Sequence, residues 1–345
     1  MATRVLGWPA FKPETGNPYN GLLYRALERH GARVEEFSAL RLLRGRYDVW
    51  HIHWPERIAH RSAALARLTL FGTLVVWARL RGTRIVWTVH NLEGHGHRHP
   101  ELERRFMSWF ARRLDAVLCA SEAGVVAAVE RFPTLRSKPA AIVPLGHYAG
   151  HYPNEISPAD ARVLLGLVES DRVVTFVGRI NPYKNVCRLV DEFRWLDEPD
   201  ARLVVAGRPD SSTLLRAIAK GAAGDERILL RLDDVADDEL QVVLNAADLV
   251  VLPYERILNS GAALLALSFG RPVLVPDTGS MADLQAELGA DAVRLYHGGL
   301  RTEHLRKALA APTPDPAGVI ARLREAHDWD AIADRTLSLY AEAAR

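Results

Sequence analysis

The sequence predicts an α/β protein of two domains, each a parallel sheet with helices on both faces. Three observations carry this. Short apolar runs alternate with amphipathic segments along the whole chain, and near-continuous apolar strands alternating with helices mean sheets covered on both sides. The runs form two series separated by "GHYAGHYPNEISPAD" (146–160), rich in Gly, Pro, Tyr and His and without apolar periodicity. Finally, 345 residues exceed one ordinary core and suit two.

Taken in order, "RVLGWP", "DVWHIHW", "RIVWTVH", "AVLCAS" and "AAIVPLG" read as buried strands of the first series. "VVTFVG", "RLVVAG", "RILLRL", "DLVVLP" and "PVLVPD" do so in the second. In "NGLLYRALERHG" Leu22, Leu23, Ala26 and Leu27 share one helical face, and Gly31 ends the helix. Ser121 is placed to cap "EAGVVAAVERF", and Asp328 to cap a final helix over 328–344. The expected domains are 1–150 and 151–327, with 328–345 a closing helix that packs back on the first.

The apolar fraction of 48% and charged fraction of 25% are those of a globular protein, and a net charge of +2 gives no support to nucleic-acid binding. Arginines nevertheless crowd the first third, among them Arg67, Arg79, Arg81, Arg104 and Arg105; they suit either a solvated face or an anionic membrane surface. The segment "SAALARLTLFGTLVVWARLRG" (62–82) is too polar to span a bilayer. It reads as a core-packed helix that could also lie on a membrane. The N-terminus runs straight into the first strand without a leader. The expected location is therefore cytoplasmic, with the inner face of the cell membrane as an extension. Cys119 and Cys187 lack metal or redox spacing and read as reduced, buried thiols.

In open α/β sheets ligands bind beyond the carboxyl ends of the strands. After the first strand, Gly16, Asn17, Pro18, Asn20 and Gly21 precede a helix and fit acceptor contacts as well as an ordinary capped turn. Glu14 lies in the same loop and is, after His90, the second candidate for a catalytic base should the reaction invert the anomeric centre. His53, Trp54 and Glu56 follow the next strand, and His90 and Asn91 the one after. A strand-end histidine can hold a sugar hydroxyl or act as a base. His95, His97 and His99 alternate, but without carboxylate or cysteine partners, so no metal is expected. In "FVGRINPYKN" Gly178 allows a sharp turn, and Arg179 and Lys184 present paired cations suited to a diphosphate. Gly207 and Arg208 end another strand and fit a nucleotide. Tyr254 and Glu255 end the next, before Asn259, Ser260 and Gly261 open a helix of small residues with free amides, a second phosphate seat.

Together these residues resemble the GT-B glycosyltransferases, in particular the group 1, family-4-like class. "FVGRINPYKNVCRLVDEF" looks like that class's Gly-Arg and Lys signature, and "AADLVVLPYERILNSGAALLALSFGRPVLVPDTG" is similar to its nucleotide-sugar segment. "VWTVHN" and "AVLCASEA" look like its N-terminal strand ends. The resemblance implies two Rossmann-like domains around a cleft, a nucleotide-sugar donor on the second and a glycan or glycolipid acceptor on the first. It also implies Arg179 and Lys184 on the diphosphate, no cofactor and no required metal. One departure stands out. Alignment on Gly270 and Pro272 puts Ile257 and Leu265 where the class has two glutamates, with Glu255 two residues early. "PYERILNSGAALLALSFGRPV" is closer to exopolysaccharide β-mannosyltransferases, which makes GDP-mannose the favoured donor. The alternatives are a degenerate donor-binding subunit, an epimerase or a phosphorylase. The missing GxGxxG fingerprint argues against an oxidoreductase.

Overall fold

The computed structural model describes residues 2–12, 17–60, 62–92, 99–255 and 257–344. Glu14, Gly16, His95 and His97, singled out above, lie outside the described residues. The chain divides into two compact units, one formed by Met1–Gly146 with His327–Arg345, the other by His147–Ala326.

The first unit holds β1 (Arg4–Trp8), β2 (Arg33–Glu36), β3 (Val49–Ile52), β4 (Arg84–Thr88), β5 (Ala116–Cys119) and β6 (Ala140–Ile142). They pair in parallel in the order β2-β1-β3-β4-β5-β6. The second holds β7 (Arg172–Val177), β8 (Ala201–Ala206), β9 (Ile228–Arg231), β10 (Leu249–Val251), β11 (Val273–Pro276) and β12 (Val293–Tyr296). They too are parallel, in the order β12-β11-β10-β7-β8-β9. In each sheet the chain leaves in one direction and returns to build the other side. The reversal falls between β1 and β3 in one unit and between β7 and β10 in the other. Such a switch point leaves a crevice at the carboxyl ends of the strands.

The ten apolar runs all form strands, but two of them are not buried. β6 and β9 are edge strands whose residues are half-buried or exposed. β2 and β12, the other two edges, carry RVEE and VRLY, too polar to stand out as strands. An edge strand needs no continuous apolar run, because one side has no neighbour to bury it.

The long helix Ala64–Leu80 buries Leu68, Phe71, Leu74, Val75 and Ala78 against the first sheet. Leu65, Leu70, Val76 and Leu80 remain exposed on its outer side. Among the described residues no helix is long and apolar enough to cross a membrane. The closing helix Trp329–Ala343 begins on Asp328, whose Oδ2 accepts from the Ala331 amide at 2.8 Å. Its Ile332, Ala333, Leu339 and Tyr340 share one core with Leu23, Ala26 and Leu27 of the helix Tyr19–Arg29. Fully burying such a side chain contributes about 1.5–3 kcal/mol. Arg29 and Asp330, 2.7 Å apart, add an exposed ion pair of small worth. Cys119 is buried as expected, whereas Cys187 is only partly so; neither is bridged.

Candidate functional site

In the second unit, β7 runs out into Gly178, and the turn that follows is tied to the neighbouring strand end. The Ile180 amide donates to Arg208 O, and the Asp210 amide returns to Ile180 O, both at 2.9 Å. The β7–β8 pairing thus continues past the strands and fixes the two loops together. Their approach explains the glycines. A Cβ on Gly207, at φ +142°, would stand 2.1 Å from the Gly178 carbonyl oxygen. Gly207 therefore serves the backbone crossing rather than offering a ligand contact of its own.

Asp210 was not singled out above. It accepts from Arg179 Nε at 2.5 Å and from Asn181 Nδ2. Arg179 is thereby held in place on an otherwise exposed loop. Arg208 is likewise paired, with Asp234 at 2.9 Å.

Lys184 is different. It closes the short 3₁₀ turn Pro182–Lys184, and among the described residues it has no ion pair. Its ammonium lies 5.9 Å from the Phe176 ring centre and 5.6 Å from that of Tyr254. Burial pulls its pKa down to about 8, with Asp210 opposing and Arg179 adding to the shift. A cation held against rings without a counter-ion is poised for an anion to arrive.

The ring of Tyr254 leads to the next group. Tyr254 is buried, and burial raises its hydroxyl while a hydrogen bond with Ser260 opposes the rise. Ser260 Oγ also accepts from the Ala263 amide at 3.0 Å, capping the helix Gly261–Ser268. The cap leaves the first amides of that helix and the positive end of its dipole facing outward. Beside it, Asn259 Oδ1 is buried without a hydrogen-bond partner. The segment 257–259 is braced by Gly279, whose φ is +60° and whose added Cβ would meet Ile257 O at 2.3 Å. The Ser280 amide donates to Leu258 O at 3.1 Å. Glu255 is exposed, and its amide donates to Tyr183 O at 3.0 Å. Gly178, Lys184, Tyr254, Asn259 and Ser260 are thus gathered around the β7/β10 switch point.

In the first unit, His51 and His53 sit two apart on β3 and its end, so both point to one face. Each is fully buried. His51 bonds Tyr340 Oη through Nδ1 at 2.7 Å and Thr88 Oγ1 through Nε2 at 2.6 Å. His53 bonds Tyr24 Oη through Nε2 at 2.8 Å and His90 Nε2 through Nδ1 at 3.0 Å. Both ring nitrogens of His53 are therefore used internally, and the expectation that it touches an acceptor is corrected: it supports His90 from behind. Burial holds His90 down to about 3, with Arg57 adding to the effect. A neutral His90 has one nitrogen bound to His53 and one left. If Tyr24 accepts from His53, then His53 accepts from His90, and His90 Nδ1 is left as an acceptor. The opposite hydroxyl orientation makes it a donor.

Trp54 stacks on His90 with ring centres 4.6 Å apart. Glu56, on the same segment after β3, is only 2% exposed. Asn91 Nδ2 donates to its Oε1 at 3.4 Å, while Oε2 is buried and unbonded. Burial pushes this carboxyl up to about 8, against the pull of its own backbone amide, of Asn91 and of Arg57. Among the described residues it is the only carboxylate with a buried unbonded oxygen. Its sequence signal was only its place after a strand. Asn17 and Asn20 each make a bond to backbone, and Asn20 Oδ1 is buried without a hydrogen-bond partner. Asn17 Oδ1 accepts from the Tyr19 amide at 2.9 Å, and Asn20 Nδ2 donates to Pro9 O at 2.7 Å. Among the described residues no group of histidine, cysteine or carboxylate side chains is set to hold a metal.

Comparison with known proteins bears on the family and the fold. Residues 171–309 match the family described as "Glycosyl transferases group 1". The GDP-mannose:glycolipid 4-beta-D-mannosyltransferase of Xanthomonas campestris is 31% identical over 330 residues, covering 95% of this chain and 88% of the relative. Sucrose-phosphate synthase of Thermosynechococcus elongatus superposes with a TM-score of 0.73 at 18% identity, over 99% of both chains. Anabaena HepE, solved with UDP and glucose, superposes with a TM-score of 0.72 at 15% identity, over 99% of this chain and all of that one. The fold is GT-B, and the chain belongs to the group 1 glycosyltransferases.

Proposed function

We propose that the protein transfers mannose from GDP-mannose to a hydroxyl of a glycolipid, without a metal ion. The observation that carries this reading is Lys184, an unpaired cation against Phe176 and Tyr254 at the switch point. Beside it stand the capped helix Gly261–Ser268 and the unbonded Asn259 Oδ1. A departing diphosphate would be neutralised by Lys184, by Arg179 and by the amides of Ser260 and Gly261. These cations do the work that a metal does elsewhere. The choice of sugar and nucleotide rests on the Xanthomonas relative.

A β-linked product from the α-linked donor requires inversion, and inversion requires a base. His90, held near 3, is too weakly basic for that work. It suits holding the acceptor hydroxyl with Asn91. Glu56, held near 8 and with Oε2 unbonded, takes the proton in this reading. Glu255 and Arg208 border the donor. The exposed Leu65, Leu70, Val76 and Leu80, with Arg67 and Arg81, support contact of the helix Ala64–Leu80 with an anionic membrane carrying a lipid-linked acceptor.

Thermal shifts with GDP, UDP, ADP and dTDP sugars test the donor site. GDP compounds are expected to raise the melting temperature of the wild type and not of Arg179→Ala/Lys184→Ala. A response to none of them, or an equal response in the double variant, overturns the assignment.

A further inference from the structure

A cavity of about 190 Å³ opens between β1, the strand-end segment 54–58 and the helix Ala64–Leu80. Its walls include Trp8, Trp54, Phe71 and Leu74, and Arg57 and Arg67 stand at its rim. Among the described residues no acidic one lines it. Trp8 packs on Phe71 with ring centres 5.1 Å apart, so the aromatic wall is held rigidly. The two arginines are both exposed, and neither has an ion pair among the described residues. Arg57 lies over the Trp54 ring at 5.6 Å, and Arg67 Nε donates to Ser62 O at 3.0 Å.

A mere packing defect would be sealed and lined by apolar atoms alone. This space reaches the surface and carries two uncompensated positive charges where the apolar wall ends. The chemistry it matches is an anionic head joined to a hydrocarbon chain. Its position is specific as well. Trp54, one of its walls, is the residue stacked on His90 at 4.6 Å. A ligand in the cavity would therefore lie one ring away from the histidine proposed to hold the acceptor. Leu70, exposed at its mouth, continues the apolar surface outward along the helix.

We propose that this cavity receives the lipid anchor of the acceptor. The first part of an alkyl or isoprenoid chain lies against Trp8, Phe71 and Leu74, and the phosphate or diphosphate that links it to the glycan lies between Arg57 and Arg67. The inference rests on the glycolipid acceptor proposed above, and it names the anchor's chemistry. Arg67 then has two neighbours to serve, the bilayer outside and the anchor's phosphate inside. The anchor binds in one fixed place, so the reacting hydroxyl is presented to His90 at a set distance from the lipid.

The test uses the full chain and farnesyl phosphate as probe, below its micellar concentration, read by the fluorescence of the wall tryptophans. Farnesol and inorganic phosphate are titrated in parallel. Farnesyl phosphate is expected to give a saturable change that Trp8→Phe diminishes. Farnesol should bind more weakly and inorganic phosphate should give no response. Arg57→Ala/Arg67→Ala, which removes both charge-assisted contacts, should weaken farnesyl phosphate by about tenfold or more. Leu74→Phe, which fills the cavity, should weaken farnesol and farnesyl phosphate alike; circular dichroism verifies that it folds. The proposal is overturned by equal binding in the arginine variant, by equal binding of farnesol and farnesyl phosphate, or by full competition from inorganic phosphate. GDP-mannose hydrolysis is followed in the same preparations. Hydrolysis without farnesyl phosphate binding sinks the cavity alone. Saturable binding without any turnover of GDP-mannose sinks the transferase reading and leaves the cavity standing.

Discussion

Replacing Lys184 by methionine should stabilise the empty protein while destroying its donor site. The ammonium is pulled from 10.5 to about 8, chiefly by burial. At about 1.4 kcal/mol for each tenfold change in proton affinity, that depression makes the charged lysine cost the fold up to about 3 kcal/mol. The sign follows from proton binding. Below pH 8 both folded and unfolded chains are charged, and the whole penalty applies. Between 8 and 10.5 only the unfolded chain holds the proton, so wild-type stability rises with pH; above that range the penalty is gone. Methionine keeps much of the volume and the contact with Phe176 and Tyr254 but carries no charge. After subtracting the lost cation–π attraction, roughly 0.5–1 kcal/mol, Lys184→Met should gain about 2 kcal/mol at pH 7. For a domain of this size that is about 4–8 °C in melting temperature. The gain should shrink as pH approaches 10.5. The same variant loses a charge-assisted contact to the diphosphate, about 1.5–3 kcal/mol, and its affinity for GDP should fall by about ten- to a hundredfold. Differential scanning fluorimetry at pH 7 and pH 10, with and without GDP, reads both effects. A variant that is no more stable at pH 7, yet binds GDP as well as wild type, would refute both the unpaired cation and its role.

Four further predictions concern the rest of the molecule. Gly207→Ala drives a Cβ to within 2.1 Å of the Gly178 carbonyl; it should cost about 3 kcal/mol or more and loosen the donor loop, seen by urea unfolding and GDP binding. Glu56 has a folded pKa raised to about 8, so wild-type stability should fall as pH rises from about 5 to 8, while Glu56→Gln should show a flatter profile. Glu56→Gln should also abolish the alkaline rise in the transfer rate, whereas His90→Asn should mainly raise the acceptor KM. Dialysis against EDTA should leave the transfer rate unchanged.

Much of this architecture was legible because central strands of a parallel sheet must be apolar on both faces. β4, β7 and β10 are examples, and their carboxyl ends pointed to His90, Lys184 and Tyr254. The edge strands β2 and β12 escaped because an edge can be half polar. Asp210 escaped for a different reason. Its role depends on two loops, 178–181 and 207–210, running side by side beyond their strands, and neither loop alone announces that pairing. Glu56 lay in view after β3, but its burial comes from chain distant in sequence. His53 was expected among the acceptor contacts, although its i, i+2 spacing from His51 put both on one face of a strand. Two histidines on one face of a central strand are more readily buried together than split between core and ligand.

The closing helix has a consequence for how the molecule is made. Tyr340 supplies the hydroxyl that bonds His51 Nδ1 in the middle of the first sheet, and Ile332, Ala333 and Leu339 complete that unit's core. All of these groups follow the whole second unit in the chain. During synthesis the first six strands must therefore wait, with an apolar helix face uncovered and His51 Nδ1 without its Tyr340 partner, while the second unit is translated and free to fold. Emergence of residues 329–343 is the step that finishes the first unit. A truncation that removes this helix would leave the second unit whole and the first unable to close its core.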